Sequence, residues 1–238
     1  MLKEELIQRS PVRFFMKSIN GGLKHGEIGV ITSLSGLGKT SVLVQIALDK
    51  LLQGQKVIHV SFTHHTDYVL TWYEDIFNEF IKKKNLENEQ DVKSDIVKNR
   101  VLMKFNQEGH ADRPVIDQVL KSLRAMIKDG SFAAECVIVD GYKFAPQEGE
   151  KLSRVKEFAR ELGLSVWFSC TVKDEEVPYD KRNIPVLIKD YAELFDVIVV
   201  LKPRPDHIEL AVSKDRDVQN PEPLALRLDP KTLLILEE

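Results

Sequence analysis

The sequence predicts an α/β fold: a mostly parallel twisted sheet with helices on both faces and a C-terminal antiparallel hairpin. Two apolar, β-rich runs, 28–31 and 56–62, flank an apolar-rich helical stretch from 42 to about 52. Strands joined through one helix form a βαβ unit, in which they lie parallel. After residue 196 the pattern changes to short β-rich runs separated by turns. Because no internal repeat or low-complexity linker interrupts the chain, we predict one domain over residues 1–238.

The remaining elements follow from the spacing of apolar residues and from turn residues. Residues 1–10 predict a short helix that Pro11 ends, or a frayed arm, and Asn20-Gly21-Gly22 predicts a turn. Further helices are predicted over 66–83, 115–127, 152–162 and near 188–194, while the charged residues 82–99 are left as helix or loop. Strands are predicted at 101–105, 136–139, 164–170, 197–201, 207–212, 224–228 and 233–236, with a hairpin turn at 203–206.

The helix predicted over 66–83 carries an unusually aromatic stripe at helical spacing. Such a stripe is typical of a core face or a partner surface, and base stacking is the less favoured alternative. Its members are Tyr68, Val69, Trp72, Tyr73, Ile76, Phe77, Phe80 and Ile81.

Composition limits the classes of partner. A net charge of −3 gives no general electrostatic reason to bind nucleic acid, although a local basic patch stays open. The two cysteines, Cys136 and Cys170, lie in apolar runs, and we expect buried thiols in a reducing compartment. The N-terminus lacks an apolar signal core and no run approaches the roughly 18 apolar residues of a membrane span. We therefore expect a cytoplasmic protein with no membrane partner.

A glycine-rich turn separates the first predicted strand from its helix. Residues 33–38 read SLSGLG and lead directly into Lys39-Thr40-Ser41. This is the context of a phosphate-binding loop, because glycines let backbone N–H groups curl around a phosphate and the helix N-terminus favours the same anion. We predict that a nucleoside triphosphate is bound by Ser35, Gly36, Leu37, Gly38, Lys39, Thr40 and Ser41.

Two residues of the loop have specific predicted roles. Lys39 would reach the β- and γ-phosphates, and the Thr40 hydroxyl would ligate Mg²⁺. The pattern G-x-x-x-x-G-K-[ST] departs at its first position, where this chain has Ser33. The alternative is therefore a Gly/Ser turn that only joins a strand to a helix.

Asp140 is the second predicted anchor of the site. It follows four apolar residues at the end of a strand, roughly 100 residues after the loop, which matches a Walker B arrangement. Carboxyl ends of parallel strands share one edge of a sheet, so we expect Asp140 to help hold Mg²⁺ beside the loop. The alternative is an Asp that caps the end of a strand.

Residues 21–62, GGLKHGEIGVITSLSGLGKTSVLVQIALDKLLQGQKVIHVSF, resemble the nucleotide-binding core of the RecA superfamily, particularly its KaiC-like and DnaB-helicase-like branches. Those families carry Gly-Gly-Leu-x-x-Gly-Glu before the first strand, as residues 21–27 do. The likeness continues through CVIVD and the late strands to VSKDRD, and is weakest over 63–100. The DnaB-like branch also tolerates a non-glycine residue where Ser33 stands. The resemblance implies a RecA-like domain that binds ATP and Mg²⁺ and forms a homo-oligomer, of which a hexamer is one form.

The resemblance also assigns a role to two late cations. By position, Lys214 and Arg216 match the basic pair that some members insert into the active site of a neighbouring subunit. A cation delivered in this way stabilises charge on the transferring phosphoryl group. The alternative is a solvated hairpin end in which residues 214–217 neutralise one another.

The chain departs from the family at the end of the second strand. The family places a carboxylate there, usually Glu, to activate water, whereas residues 61–65 read SFTHH. His64 is the candidate base, because an imidazole can accept a proton near neutral pH. A plain loop pair is the more favoured alternative, and a metal pair with His65 is disfavoured because adjacent side chains of an extended segment point apart.

These observations predict a RecA/KaiC-like ATP-binding protein with slow or absent hydrolysis. A non-hydrolysing nucleotide sensor or assembly scaffold is the first alternative, and the missing acid supports it. A DNA-dependent motor of the helicase type is the second, but acids outnumber bases in the loop 173–182.

Overall fold

The computed structural model describes residues 7, 11–82, 89–107, 115–130, 132–173, 178–219, 221, 224 and 226–237. Its described α-helices are α1 (Pro11–Ser18), α2 (Lys39–Leu52), α3 (Thr66–Lys82), α4 (Glu89–Lys98), α5 (Val115–Lys128) and α6 (Gly149–Leu162). A 3-10 helix spans Val186–Leu194. The strands are β1 (Ile28–Ser33), β2 (Val57–Ser61), β3 (Arg100–Lys104), β4 (Cys136–Asp140), β5 (Ser165–Thr171), β6 (Val197–Pro203), β7 (Ile208–Asp215), β8 (Val218–Gln219), β9 (Leu226–Leu228) and β10 (Ile235–Glu237).

The ten strands form one mixed sheet in the order β10-β9-β7-β6-β1-β5-β4-β2-β3, with β8 paired to β7. The six strands from β6 to β3 are mutually parallel. The pairings of β7 with β6, β8 and β9, and of β9 with β10, are antiparallel. The predicted α/β class with a mostly parallel sheet and late antiparallel strands is therefore confirmed.

Helices cover both faces of this sheet, as predicted. The first four α-helices share one apolar core with alternate strand residues such as Ile31, Ile138 and Trp167. The last two α-helices and the 3-10 helix pack with the other residues of the same strands, such as Val30, Val139 and Phe168. Strands buried on both faces read as continuous apolar runs, which explains why β1, β2 and β4 were recognisable from sequence.

The structure contains a helix that the sequence analysis did not predict. This helix, α1, begins at Pro11. Proline is favoured in the first turn of a helix, where its missing N–H has no intrahelical acceptor. The helix is held because Phe15 and Met16 are buried in the core. Most of the helix predicted over 1–10 lies outside the described residues.

The structure also assigns two further segments. The charged residues 82–99, predicted to be helix or loop, contain α4, and residues 83–88 lie outside the described part. The short strand β8 was missed because it has only two residues. Within the described ranges, no helix has the length and apolar character needed to cross a bilayer.

Candidate functional site

The glycine-rich turn lies at the carboxyl edge of the parallel strands, between the end of β1 and the first residue of α2. Gly36 and Gly38 both have left-handed backbones, with φ of 80° and 89°. A Cβ atom at Gly38 would also lie 3.2 Å from Leu228 Cδ1 and 3.4 Å from Leu233 Cδ2. The left-handed backbone therefore favours glycine at position 38, and a side chain there would also press against two leucine methyl groups.

The Lys39 ammonium is folded back onto the loop. Its Nζ atom donates to the carbonyl oxygens of Leu34 and Ser33, at 2.8 and 3.3 Å, and to Ser33 Oγ at 3.1 Å. Burial lowers the pKa of Lys39 to about 8, although the Asp140 carboxylate opposes this shift. The cation is thus held by three oxygens at the base of the loop.

Thr40 and Asp140 meet at the same edge of the sheet. The Thr40 hydroxyl donates to Asp140 Oδ2 at 2.9 Å, as expected if the two residues flank one site. The other carboxylate oxygen accepts a hydrogen bond of 2.6 Å from Ser169, whose hydroxyl in turn accepts from the Gly141 N–H. Sequence reasoning missed Ser169, because its position depends on β5 lying between β1 and β4.

These groups line a cleft of about 340 Å³. Three rings that line this cleft form an aromatic wall. The His64 and Tyr68 ring centroids are 4.5 Å apart, and those of Tyr68 and Trp72 are 6.4 Å apart. The described lining residues are Ser35, Gly36, Gly38, Lys39, Thr40, Ser41, Thr63, His64, Tyr68, Trp72, Asp140, Gly141, Ser169, Thr171 and Leu233.

The aromatic stripe of α3 therefore divides between two surroundings. Val69, Tyr73 and Ile76 are buried in the core, which confirms the favoured interpretation. Tyr68 and Trp72 belong instead to the wall of the cleft. Helical spacing could not separate the two groups, because only the position of the phosphate loop determines which residues of the helix face it.

His64 lies in the cleft, with its backbone fixed by Ser61. The Ser61 hydroxyl donates to the His64 carbonyl at 2.9 Å and accepts from the His64 N–H at 3.1 Å. Asp140 is the sole carboxylate among the described lining residues. Nowhere in the described ranges do three His, Cys, Asp or Glu side chains form a group suited to a metal ion.

The C-terminal strands fold over the start of α2. The carbonyl of Leu233 accepts hydrogen bonds from Ser41 Oγ at 2.8 Å and from Gln45 Nε2 at 2.9 Å. The side-chain Oε1 atom of Gln45 accepts a hydrogen bond from the Ile235 N–H. The Ser41 hydroxyl, predicted to contact nucleotide, is thus engaged by the C-terminal turn in this structure.

Lys214 and Arg216 lie at the opposite edge of the sheet, because Lys214 and Asp215 pair with the first residues of β6. Lys214 is buried and donates to Glu193 Oε2 at 2.7 Å. Arg216 is bound to Glu27. Neither cation reaches the cleft of its own chain. Their action in a neighbouring subunit concerns an assembly and stays a prediction.

The two cysteines are free and buried, as expected from their apolar runs. Burial raises the pKa of Cys170 to about 12, so its thiol stays protonated at neutral pH. Neither thiol lines the cleft described above.

No protein-family model matches this chain, and no curated protein matches it either. The case for a function therefore depends on the residues of the cleft.

Proposed function

We propose that the chain is a RecA-like, KaiC-type ATP-binding protein that holds MgATP and hydrolyses it slowly or not at all. The observation that carries this proposal is the 2.9 Å contact between Thr40 and Asp140 beside a glycine loop that ends in Lys39. The mixed sheet, with its parallel strands and late antiparallel strands, is consistent with this proposal.

The loop offers the chemistry that a triphosphate requires. The left-handed backbones at Gly36 and Gly38 turn the chain, and α2 begins directly after them, so that unpaired N–H groups and the positive end of its dipole face the loop. Lys39 would exchange its present carbonyl partners for phosphate oxygens. This exchange replaces neutral acceptors with charged ones, which favours binding.

The donor set near the loop also fits Mg²⁺. A hydroxyl and a carboxylate are hard oxygen ligands, and Mg²⁺ in proteins usually takes one or two carboxylates together with substrate phosphates and water. Thr40 and Asp140 would hold the ion, which would neutralise phosphate charge when bound. Ser169 would orient Asp140 through the carboxylate oxygen that Thr40 does not contact.

Slow hydrolysis is proposed because the cleft lacks a second carboxylate among its described lining residues. Asp140 already accepts two hydroxyl hydrogen bonds, which makes it a poor base. His64 is the remaining candidate for activating water. If it does not act, the protein is a nucleotide sensor or scaffold, which is the second candidate function.

Assembly into a homo-oligomer is part of the proposal, and it rests on the family resemblance of residues 212–217. Light scattering of concentrated protein with saturating MgATP measures it directly. We expect a mass of several subunits, and a strictly monomeric mass would count decisively against Lys214 and Arg216 acting between subunits.

The experiment that tests nucleotide binding is calorimetry with MgATP on wild type and Lys39→Ala. We expect no measurable binding by the variant, because its phosphate site loses the cation. Lys82→Ala, which removes an exposed lysine of α3, is the matched control and should bind as wild type does. Unchanged affinity in a folded Lys39→Ala protein would reject the assignment.

A further inference from the structure

The first residue of the loop contacts the cation that the loop presents. Ser33 is fully buried, and its Oγ atom lies 3.1 Å from Lys39 Nζ. The same hydroxyl donates to the Leu34 carbonyl at 2.8 Å. Because the hydroxyl donates its proton to the Leu34 carbonyl, a lone pair of the Ser33 oxygen can accept a hydrogen bond from the Lys39 ammonium.

We propose that the Ser33 hydroxyl is a positioning residue for Lys39, holding the ammonium against the base of the loop until a polyphosphate takes it over. The inference rests on the proposed nucleotide function and adds a regulation of that same site. It assigns a role to the position at which the chain departs from the glycine of the phosphate-loop pattern.

The physical argument begins with burial. A charged ammonium that is only 8% exposed loses most of its water and must replace it with protein acceptors. Three oxygens do this here, two carbonyls and one hydroxyl. A glycine at position 33 would keep the backbone carbonyl and lose the hydroxyl, which leaves Lys39 with one acceptor fewer.

The hydroxyl acts on the unloaded loop more than on the loaded one. Binding a triphosphate requires Lys39 to turn away from Ser33 and Leu34 toward phosphate oxygens. A contact made only before binding stabilises the empty state and so weakens affinity. Removing it should tighten binding of MgATP by about fivefold, which is less than a full hydrogen bond to a charged group would give, because the two carbonyl acceptors remain.

The first measurement isolates the contact between Ser33 and Lys39 in nucleotide-free protein by urea denaturation. We expect Ser33→Ala and Ser33→Gly to lower the urea midpoint of wild type more than they lower the midpoint of Lys39→Met, because only a charged ammonium needs the lost acceptor. Ser33→Thr, which retains the hydroxyl, should unfold as wild type does.

The second measurement is MgATP affinity by calorimetry on the same proteins. Tighter binding by Ser33→Ala and Ser33→Gly, with Ser33→Thr unchanged, supports the inference. Weaker or equal affinity in both variants overturns it, and so does a loss of urea midpoint that is the same with and without the Lys39 ammonium.

The two proposals fail in different ways. If wild type binds no MgATP, the proposed function fails and the regulatory inference fails with it. If wild type binds MgATP but Ser33→Ala leaves the affinity unchanged, only the inference about Ser33 fails.

Discussion

The Glu27 carboxylate accepts two hydrogen bonds from the Arg216 guanidinium, Nε to Oε1 at 2.9 Å and Nη2 to Oε2 at 2.6 Å. The same guanidinium donates to the carbonyls of Gly22 and Ile19. Burial alone would raise the pKa of Glu27, but the hydrogen bonds from Arg216 and the Lys24 N–H outweigh it and hold the pKa below its usual value. The segment before β1 is thereby fastened to the end of β7.

This pairing predicts a large stability cost for Arg216→Ala. Removing one partner of a largely buried pair leaves the other charge uncompensated, so we expect a loss of about 3 kcal/mol in the free energy of unfolding. Arg204→Ala is the matched control, because it breaks another Arg–Glu pair on the exposed hairpin, with Glu209, and should cost at most about 1 kcal/mol. Urea denaturation measures both, and equal losses would show that the pair near β1 is not structurally special.

Asp140→Asn should make ATP binding insensitive to magnesium. The variant retains the shape of the side chain but loses the charge that would hold the ion, so affinity for MgATP should fall at least about tenfold. Affinity measured with EDTA in place of magnesium should change little. Asp206→Asn, at an exposed hairpin turn, is the control. A full magnesium effect in Asp140→Asn would remove this residue from the metal site.

Hydrolysis should depend on His64 if it occurs at all. Loss of a positioned base typically removes about 10²- to 10⁴-fold in rate. We expect His64→Ala to abolish phosphate release while MgATP still binds, and His65→Ala, the exposed neighbouring histidine, to leave the rate unchanged.

If wild type shows no turnover, a carboxylate supplied by His64→Glu or Thr63→Glu should create it, because both positions line the cleft. Rapid wild-type hydrolysis that is indifferent to changes at both positions would place the base elsewhere.

The stability of the folded protein at low pH should depend on His59. This side chain is fully buried, and its Nδ1 atom lies 3.1 Å from the Tyr73 hydroxyl. Burial lowers the pKa of His59 to about 4 in the folded protein, whereas in the unfolded chain it is about 6.5. As the pH falls from about 6.5 toward 4, the unfolded chain therefore binds a proton that the folded protein does not, and stability is lost. Between pH 7 and 4.5 this loss is about 2 kcal/mol. His59→Gln retains a polar partner for Tyr73 but does not titrate. Over the same pH range, its free energy of unfolding should therefore fall by about 2 kcal/mol less than that of wild type.

The comparison between variants matters because a second buried group acts in the opposite direction. Burial raises the pKa of Asp49 to about 6, which favours the folded state as the pH falls from 6 toward 4. Since both proteins contain Asp49, its contribution cancels in their difference. Parallel curves for wild type and His59→Gln would refute the assignment.

Local chemistry made much of the site predictable. Apolar runs, the loop glycines and the Lys-Thr pair depend on neighbours within a few residues, so sequence alone predicts the strand, the turn and the helix. The meeting of Thr40 and Asp140 was also predictable, because parallel strands place their carboxyl ends at one edge whatever their order.

Other contacts depend on which strands become neighbours and which way a helix turns. Ser169 reaches Asp140 because β5 pairs with both β1 and β4, and Arg216 reaches Glu27 across 189 positions of the chain. Tyr68 and Tyr73 look alike in the helical pattern, yet one faces the cleft and the other the core. Strand order and helix rotation come from burying both faces of the sheet at once, a balance over the whole core that no local pattern encodes.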